Sequence, residues 1–266
     1  MLTRPISIAA AALVAAVLAT PASAGTFEVK GVDVTKGEAE LGSNSAFFWG
    51  YPVNADRLRY STEYGASYSF SDFWKVGLKV NLDKAVGGDL EPVSIGAEVL
   101  TVFKRYNGGW GLGWYSSVDL AMQTGDPDTI TSGPILQFGN DKTTLTLNPF
   151  FVSNFLPDQK SGDFAYGWQV KHEVREGFAI GIEGYGYIPN VWHSSSSDAQ
   201  EHRIGPVIYY ERALKSLPFG MASKSSSLKD AGGGDGPKWQ MEAGVFFGLT
   251  DATQDIAVKF KSGIVY

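Results

Sequence analysis

From Gly37 to the last residue, apolar and polar side chains alternate with a period of two, the spacing that sends successive residues to opposite faces of an extended strand. One window sets Leu58, Tyr60, Thr62, Tyr64, Ala66, Tyr68 and Phe70 against Arg57, Arg59, Ser61, Glu63, Gly65, Ser67 and Ser69. The next opposes Trp74, Val76, Leu78, Val80 and Leu82 to Lys75, Gly77, Lys79 and Asn81. Near the end the same rhythm carries Trp239, Met241, Ala243, Val245, Phe247 and Leu249, then Ile256, Val258, Phe260, Ile264 and Tyr266. A helical period fits none of these stretches. The windows are 37–49, 56–70, 73–83, 90–104, 110–121, 129–138, 142–153, 162–175, 177–188, 200–211, 238–250 and 254–266. They predict about twelve antiparallel strands, within a range of roughly ten to fourteen. Pro92, Pro134, Pro149 and Pro206 fall inside them, and each predicts a bulge or a weakened pairing, because proline cannot donate to the ladder.

Alternation alone does not say which face meets water. The aromatic residues do. At alternate connections the apolar face begins or ends on a ring: Phe70, Trp74, Phe103, Trp110, Phe138, Phe178, Tyr210, Trp239 and Tyr266. Because strands reverse, these positions share one rim, the arrangement of an interfacial girdle. The fold class this implies is all-β, a closed antiparallel transmembrane β-barrel. Only closure satisfies every backbone donor and acceptor of a sheet in hydrocarbon. The alternative that keeps the same alternation is a soluble periplasmic β-protein, apolar face inward, binding an apolar ligand.

On the polar face the expected lumen-lining charges are Arg57, Arg59, Glu63, Lys75, Lys79, Glu98, Asp119, Lys171, Glu173, Glu183, Arg203, Glu242, Lys259 and Lys261. Acidic and basic residues are interspersed, with no block of one sign. An open selective pore uses rings of like charge, whereas interspersed charges predict cross-strand ion pairs that fill the barrel. Hydrated pairs of this kind contribute about 0–1 kcal/mol each. About twelve strands also lie between filled small barrels and wide porins. The functional expectation is therefore a narrow or plugged channel, a transport component or a structural barrel, without enzymatic activity.

The N-terminus assigns the compartment. A basic start at Arg4, an apolar run from Ile6 to Leu18 and the cleavage pattern Ala22-Ser23-Ala24 predict a signal peptide over 1–24. Removing it takes the balance from 22 basic against 28 acidic residues to 21 against 28, since Arg4 is its only charge. A mildly acidic chain without basic clusters predicts no nucleic-acid partner. With zero Cys, no disulfide staples the exported protein. Residues 25–36 read as an N-terminal periplasmic lead-in, and 37–266 as one barrel domain. A Ser-, Gly- and Lys-rich stretch at 213–237 reads as a flexible insertion on the Tyr266 rim. His172 and His202 have no Cys or acidic partner at metal-ligand spacing, and neither metal nor cofactor is expected.

Three resemblances add to this reading. The final strand, with Val258, Phe260 and Ile264 leading to an aromatic last residue, resembles the C-terminal recognition signal of bacterial outer-membrane barrels; Ser262 departs from that pattern. The resemblance implies a Gram-negative outer membrane, a lipid surround and the barrel-assembly machinery as partner. Gly248-Leu249-Thr250-Asp251 and the hairpin after it resemble transporter-like barrels, among them the family named for the meta-pathway of phenol degradation. That likeness covers only the last twenty or so residues and implies a barrel, not a substrate. His193 and Ser195 resemble the His and Ser of outer-membrane lipid hydrolases, in which imidazole takes the hydroxyl proton. Ser196 and Ser197 replace the usual Asn-Gly, and the Ser-rich setting reads as a solvated loop. The lipid hydrolase is the enzymatic alternative.

Overall fold

The computed structural model describes residues 27–50, 58–156, 159–193, 196–214 and 236–266. The described residues form twelve strands: β1 (Ala39–Trp49), β2 (Leu58–Ser71), β3 (Trp74–Ala85), β4 (Leu90–Lys104), β5 (Gly109–Ala121), β6 (Asp128–Gly139), β7 (Thr143–Leu156), β8 (Gln159–Arg175), β9 (Phe178–Ile188), β10 (Glu201–Ala213), β11 (Lys238–Gly248) and β12 (Ile256–Val265). Each strand pairs antiparallel with the next, and β12 pairs with β1, so the sheet closes into the predicted barrel. The seam is tied at the rim of the last residue: Ala39 N donates to Tyr266 O at 2.6 Å, and Tyr266 N donates to Ala39 O at 2.9 Å. Closure leaves no edge strand to template aggregation.

The prolines act where expected. Across Pro92 the β3–β4 register shifts by one residue, with Asn81 opposite Ser94 but Leu82 opposite Pro92. The β6–β7 ladder is interrupted between the pairs Ser132–Phe151 and Leu136–Leu147, where Pro134 and Pro149 lie. The β10–β11 ladder is interrupted at Pro206, between Ile204–Phe247 and Val207–Gly244.

The apolar face points outward. Leu78 is 67% exposed, Ile95 53% and Leu120 51%, whereas Lys259 and Glu183 on the polar face are fully buried. Of the rim aromatics, Phe70, Trp74, Phe103, Trp110, Phe138 and Tyr266 are exposed, and Phe178, Tyr210 and Trp239 half-buried. They meet in pairs along the rim, Phe70 with Trp74 at 5.9 Å and Tyr210 with Trp239 at 5.9 Å. Trp239 Nε1 donates to Ser262 Oγ at 2.9 Å, so the residue that departs from the apolar terminal pattern satisfies an indole in the wall.

Three aromatic doublets divide between the two faces. Phe47 is 40% exposed and Phe48 1%; Phe151 is 57% and Phe150 9%; Phe247 is 50% and Phe246 0%. The inward ring of each doublet packs with the segment before β1, part of the stretch 25–36 read from sequence as a periplasmic lead-in. Residues 27–36, expected as a periplasmic lead-in, run inside the lumen. Ten extended residues reach about 33 Å, comparable to the hydrocarbon thickness of roughly 30 Å. Two apolar clusters inside the barrel form around this segment. Phe27 sits among Phe48, Tyr185, Val207, Tyr209 and Phe246, and Val32 and Val34 sit among Leu100, Val102, Tyr115, Ile135 and Phe150. Proposed cleavage at 1–24 and most of the 213–237 insertion fall outside the described residues.

Candidate functional site

The candidate site is the lumen together with the segment that occupies it. Residues 27–36 form no strand ladder. Side-chain amides on the wall take the place of a neighbouring strand. Asn148 of β7 accepts from Lys30 N at 2.6 Å and donates to Lys30 O at 3.0 Å, a two-point clamp on the backbone of one residue. Asn44 of β1 donates to Phe27 O at 3.0 Å, and Gln137 of β6 accepts from Val32 N at 3.3 Å. Four backbone groups of the segment, Phe27 O, Lys30 N, Lys30 O and Val32 N, thereby find partners away from any ladder.

Ion pairs fasten the same segment. Glu28 meets Lys261 of β12 at 2.7 Å and Lys30 at 2.6 Å, while Lys30 also meets Glu98 of β4 at 3.0 Å. Tyr115 OH donates to Glu98 at 2.9 Å. Two glycines make room on β5. A Cβ at Gly111 would stand 2.7 Å from Val32 Cγ2, and one at Gly113 would stand 3.1 Å from Val32 Cγ1. Any larger residue there would press against the segment.

The remaining lumen charges pair across the wall. Lys79 lies between Asp119 at 3.1 Å and Glu63 at 3.7 Å. Lys75 meets Glu40 at 2.6 Å. Lys259 joins Glu183 and Glu242, each at 2.9 Å, and Glu183 also accepts from Tyr185, Tyr209 and Gln169. Solvated pairs were expected. The Lys259–Glu183 pair is instead fully dehydrated, so it depends on this complete set of partners. Arg203 meets Glu201 at 2.6 Å and lies over the Phe27 ring at 4.6 Å, joining the wall to the start of the segment. Lys171 lies over the Tyr209 ring at 4.9 Å. Arg59 donates to Phe48 O at 2.7 Å. Glu173 lines the lumen and makes no ion pair with a described residue. Arg57 lies outside the described residues.

Two cavities flank the segment. The larger, about 560 Å³, opens toward the Tyr266 rim beside Glu38, Tyr106, Asp141 and Glu173. The smaller, about 140 Å³, lies toward the opposite rim beside Phe27, Asn81, Val152, Tyr187 and Arg203. They share Glu28 and Lys30 of the segment with Glu63, Lys79 and Tyr115 of the wall, so the boundary between them is a charged cluster built from both.

What the sequence reading missed was Phe27, Glu28, Lys30, Val32 and Val34. The signal available for them was the set of inward-facing amides and the aromatic doublets. The enzymatic candidate is not assembled among the described residues: His193 is exposed on a short 3-10 turn (Val191–His193), and Ser195 lies outside them.

Compared with known proteins, the chain matches no protein-family model and no curated protein sequence. Its fold does have neighbours of known structure. An outer-membrane channel from Pseudomonas putida F1 superposes with a TM-score of 0.56 at 9% identity, over 92% of this chain and 99% of that one. The KdgM porin in complex with disordered oligogalacturonate gives 0.50 at 11% identity, over 85% of this chain and 98% of that one. The NanC porin gives 0.50 at 10% identity, over 84% and 98%. The twelve-stranded closed barrel is thus a fold shared with outer-membrane channels.

Proposed function

We propose that the protein is an outer-membrane channel kept narrow by its own N-terminal segment. The observation that carries this reading is the placement of residues 27–36 across the lumen, clamped by Asn148 and paired through Glu28 and Lys30, with a cavity on either side. A purely structural barrel has no need of two cavities that share a charged boundary. The exposed apolar belt supports the membrane location, because a surface of this extent is not left in water by a soluble protein. The shared fold with outer-membrane channels supports it further.

In this reading residues 1–24 direct export, outer-membrane lipid surrounds the barrel, and the assembly machinery reads β12. The Tyr266 rim faces the periplasm. Connections on that rim include the two-residue turns Asp72-Phe73 and Glu176-Gly177, as short periplasmic turns are. The wide cavity then opens to the periplasm and the smaller one to the outside.

The test is conductance in a planar bilayer, comparing the exported chain with a variant lacking residues 27–34. The expected result is small, intermittent current from the first and severalfold larger, steady current from the second. Equal current from the two chains, or silence from both while each migrates as a heat-modifiable barrel, would overturn the proposal.

A further inference from the structure

We infer that the passage selects small cations and cationic solutes over anions. This rests on the channel reading and names the class of solute it would favour. The sequence suggested a balanced interior, but the wide cavity is not balanced. Nine carboxylates line it (Glu28, Asp33, Glu38, Glu40, Glu63, Glu98, Asp141, Glu173 and Glu242), against the six ammonium groups of Lys30, Lys75, Lys79, Lys142, Lys171 and Lys261.

Pairing sharpens the difference. Lys30, Lys75, Lys79 and Lys261 each lie within 4 Å of a carboxylate, so their charge is already answered. Among the described residues, Asp33, Glu38, Asp141 and Glu173 make no ion pair. Of the lysines only Lys142 and Lys171 are in that condition, and Lys171 lies over the Tyr209 ring. An arriving anion therefore meets few free ammonium groups, whereas an arriving cation meets a surplus of solvated carboxylates.

A second, independent feature points the same way. Asn44 lines the cavity, is 4% exposed and donates its Nδ2 proton to Phe27 O, while its Oδ1 has no donor among the described residues. It contributes a buried oxygen acceptor at the base of an acidic vestibule. A concave surface of one net sign, backed by low-dielectric walls, concentrates the opposite ion. The smaller cavity does not reverse the preference, because its six charged residues divide into Glu28, Glu63 and Glu201 against Lys30, Lys79 and Arg203. Selection is therefore applied in the wide cavity. It weakens as salt rises, since the Debye length falls from about 10 Å at 0.1 M to about 3 Å at 1 M.

The experiment is a reversal potential across a bilayer under a KCl gradient at low ionic strength. It uses the exported chain and the chain lacking residues 27–34, which retains Glu38, Asp141 and Glu173. The expected permeability ratio of potassium to chloride is severalfold above unity in both. In the double variant Glu38→Gln, Glu173→Gln the ratio should fall toward unity with the barrel still heat-modifiable; both side chains are at least partly solvated and unpaired. A ratio at or below unity before substitution, or one that the double variant leaves unchanged, would sink the inference and leave the channel reading standing. Silence from every chain removes the channel reading and this inference with it.

Discussion

The two ends of the described chain are both extended, and the molecule uses them in opposite ways. β12 bonds through its backbone to β1 on one side and β11 on the other, along ten paired positions with each. Residues 27–36 bond mainly to side chains: amides on three strands, carboxylates and lysines, and inward aromatic rings. A ladder is all-or-none in hydrocarbon, because each unpaired backbone group costs several kcal/mol. Side-chain clamps are worth about 0.5–1.5 kcal/mol each and can be released one at a time. The wall is therefore a fixed structure, and the segment is a separable part resting inside it.

The largest test of that contrast removes the wall end. Truncation after Asp255 deletes β12 and opens two edges, so no heat-modifiable barrel should form. A folded barrel lacking those residues would break the comparison. Next comes the buried pair. Lys259→Met leaves Glu183 dehydrated without its cation, and should lower stability by about 3–5 kcal/mol in urea unfolding from lipid or detergent. A loss under 1 kcal/mol would mean that Tyr185, Tyr209 and Gln169 suffice. The smallest effect belongs to the segment. Asn148→Ala removes both bonds to Lys30 and should weaken docking by about 1–3 kcal/mol, while the unfolding midpoint of the barrel stays close to that of the unaltered protein. More frequent channel openings would register this. A large fall in the unfolding midpoint would show instead that the segment is part of the wall.

The wall was legible because its information is periodic. A lipid-facing strand repeats apolar residues at every second position, and windows such as 73–83 fall within two residues of Trp74–Ala85. Parity assigned the charges to the other face but named no partners; in the fold Lys79 meets Glu63 and Asp119, and Lys259 meets Glu183 and Glu242. The segment was not legible, because its pairing has no period. Asn44, Gln137 and Asn148 look like ordinary polar residues on an inward face, and Asn148 lies 118 positions from the residue whose backbone it holds. The doublets Phe47-Phe48, Phe150-Phe151 and Phe246-Phe247 were the departure from alternation that could have pointed to an apolar occupant of the lumen.

The turn at Gly37 joins the segment to β1. Gly37 has φ +85°, and its N donates to Ser69 O at 2.7 Å, while Lys36 N donates to Asp72 Oδ1 at 3.0 Å. It acts as a short leash. A segment so tethered, once displaced, still meets its berth at a local concentration in the millimolar range. Re-entry is then first order: the dwell time between closures is a property of each single molecule and does not change with the amount of protein in the membrane.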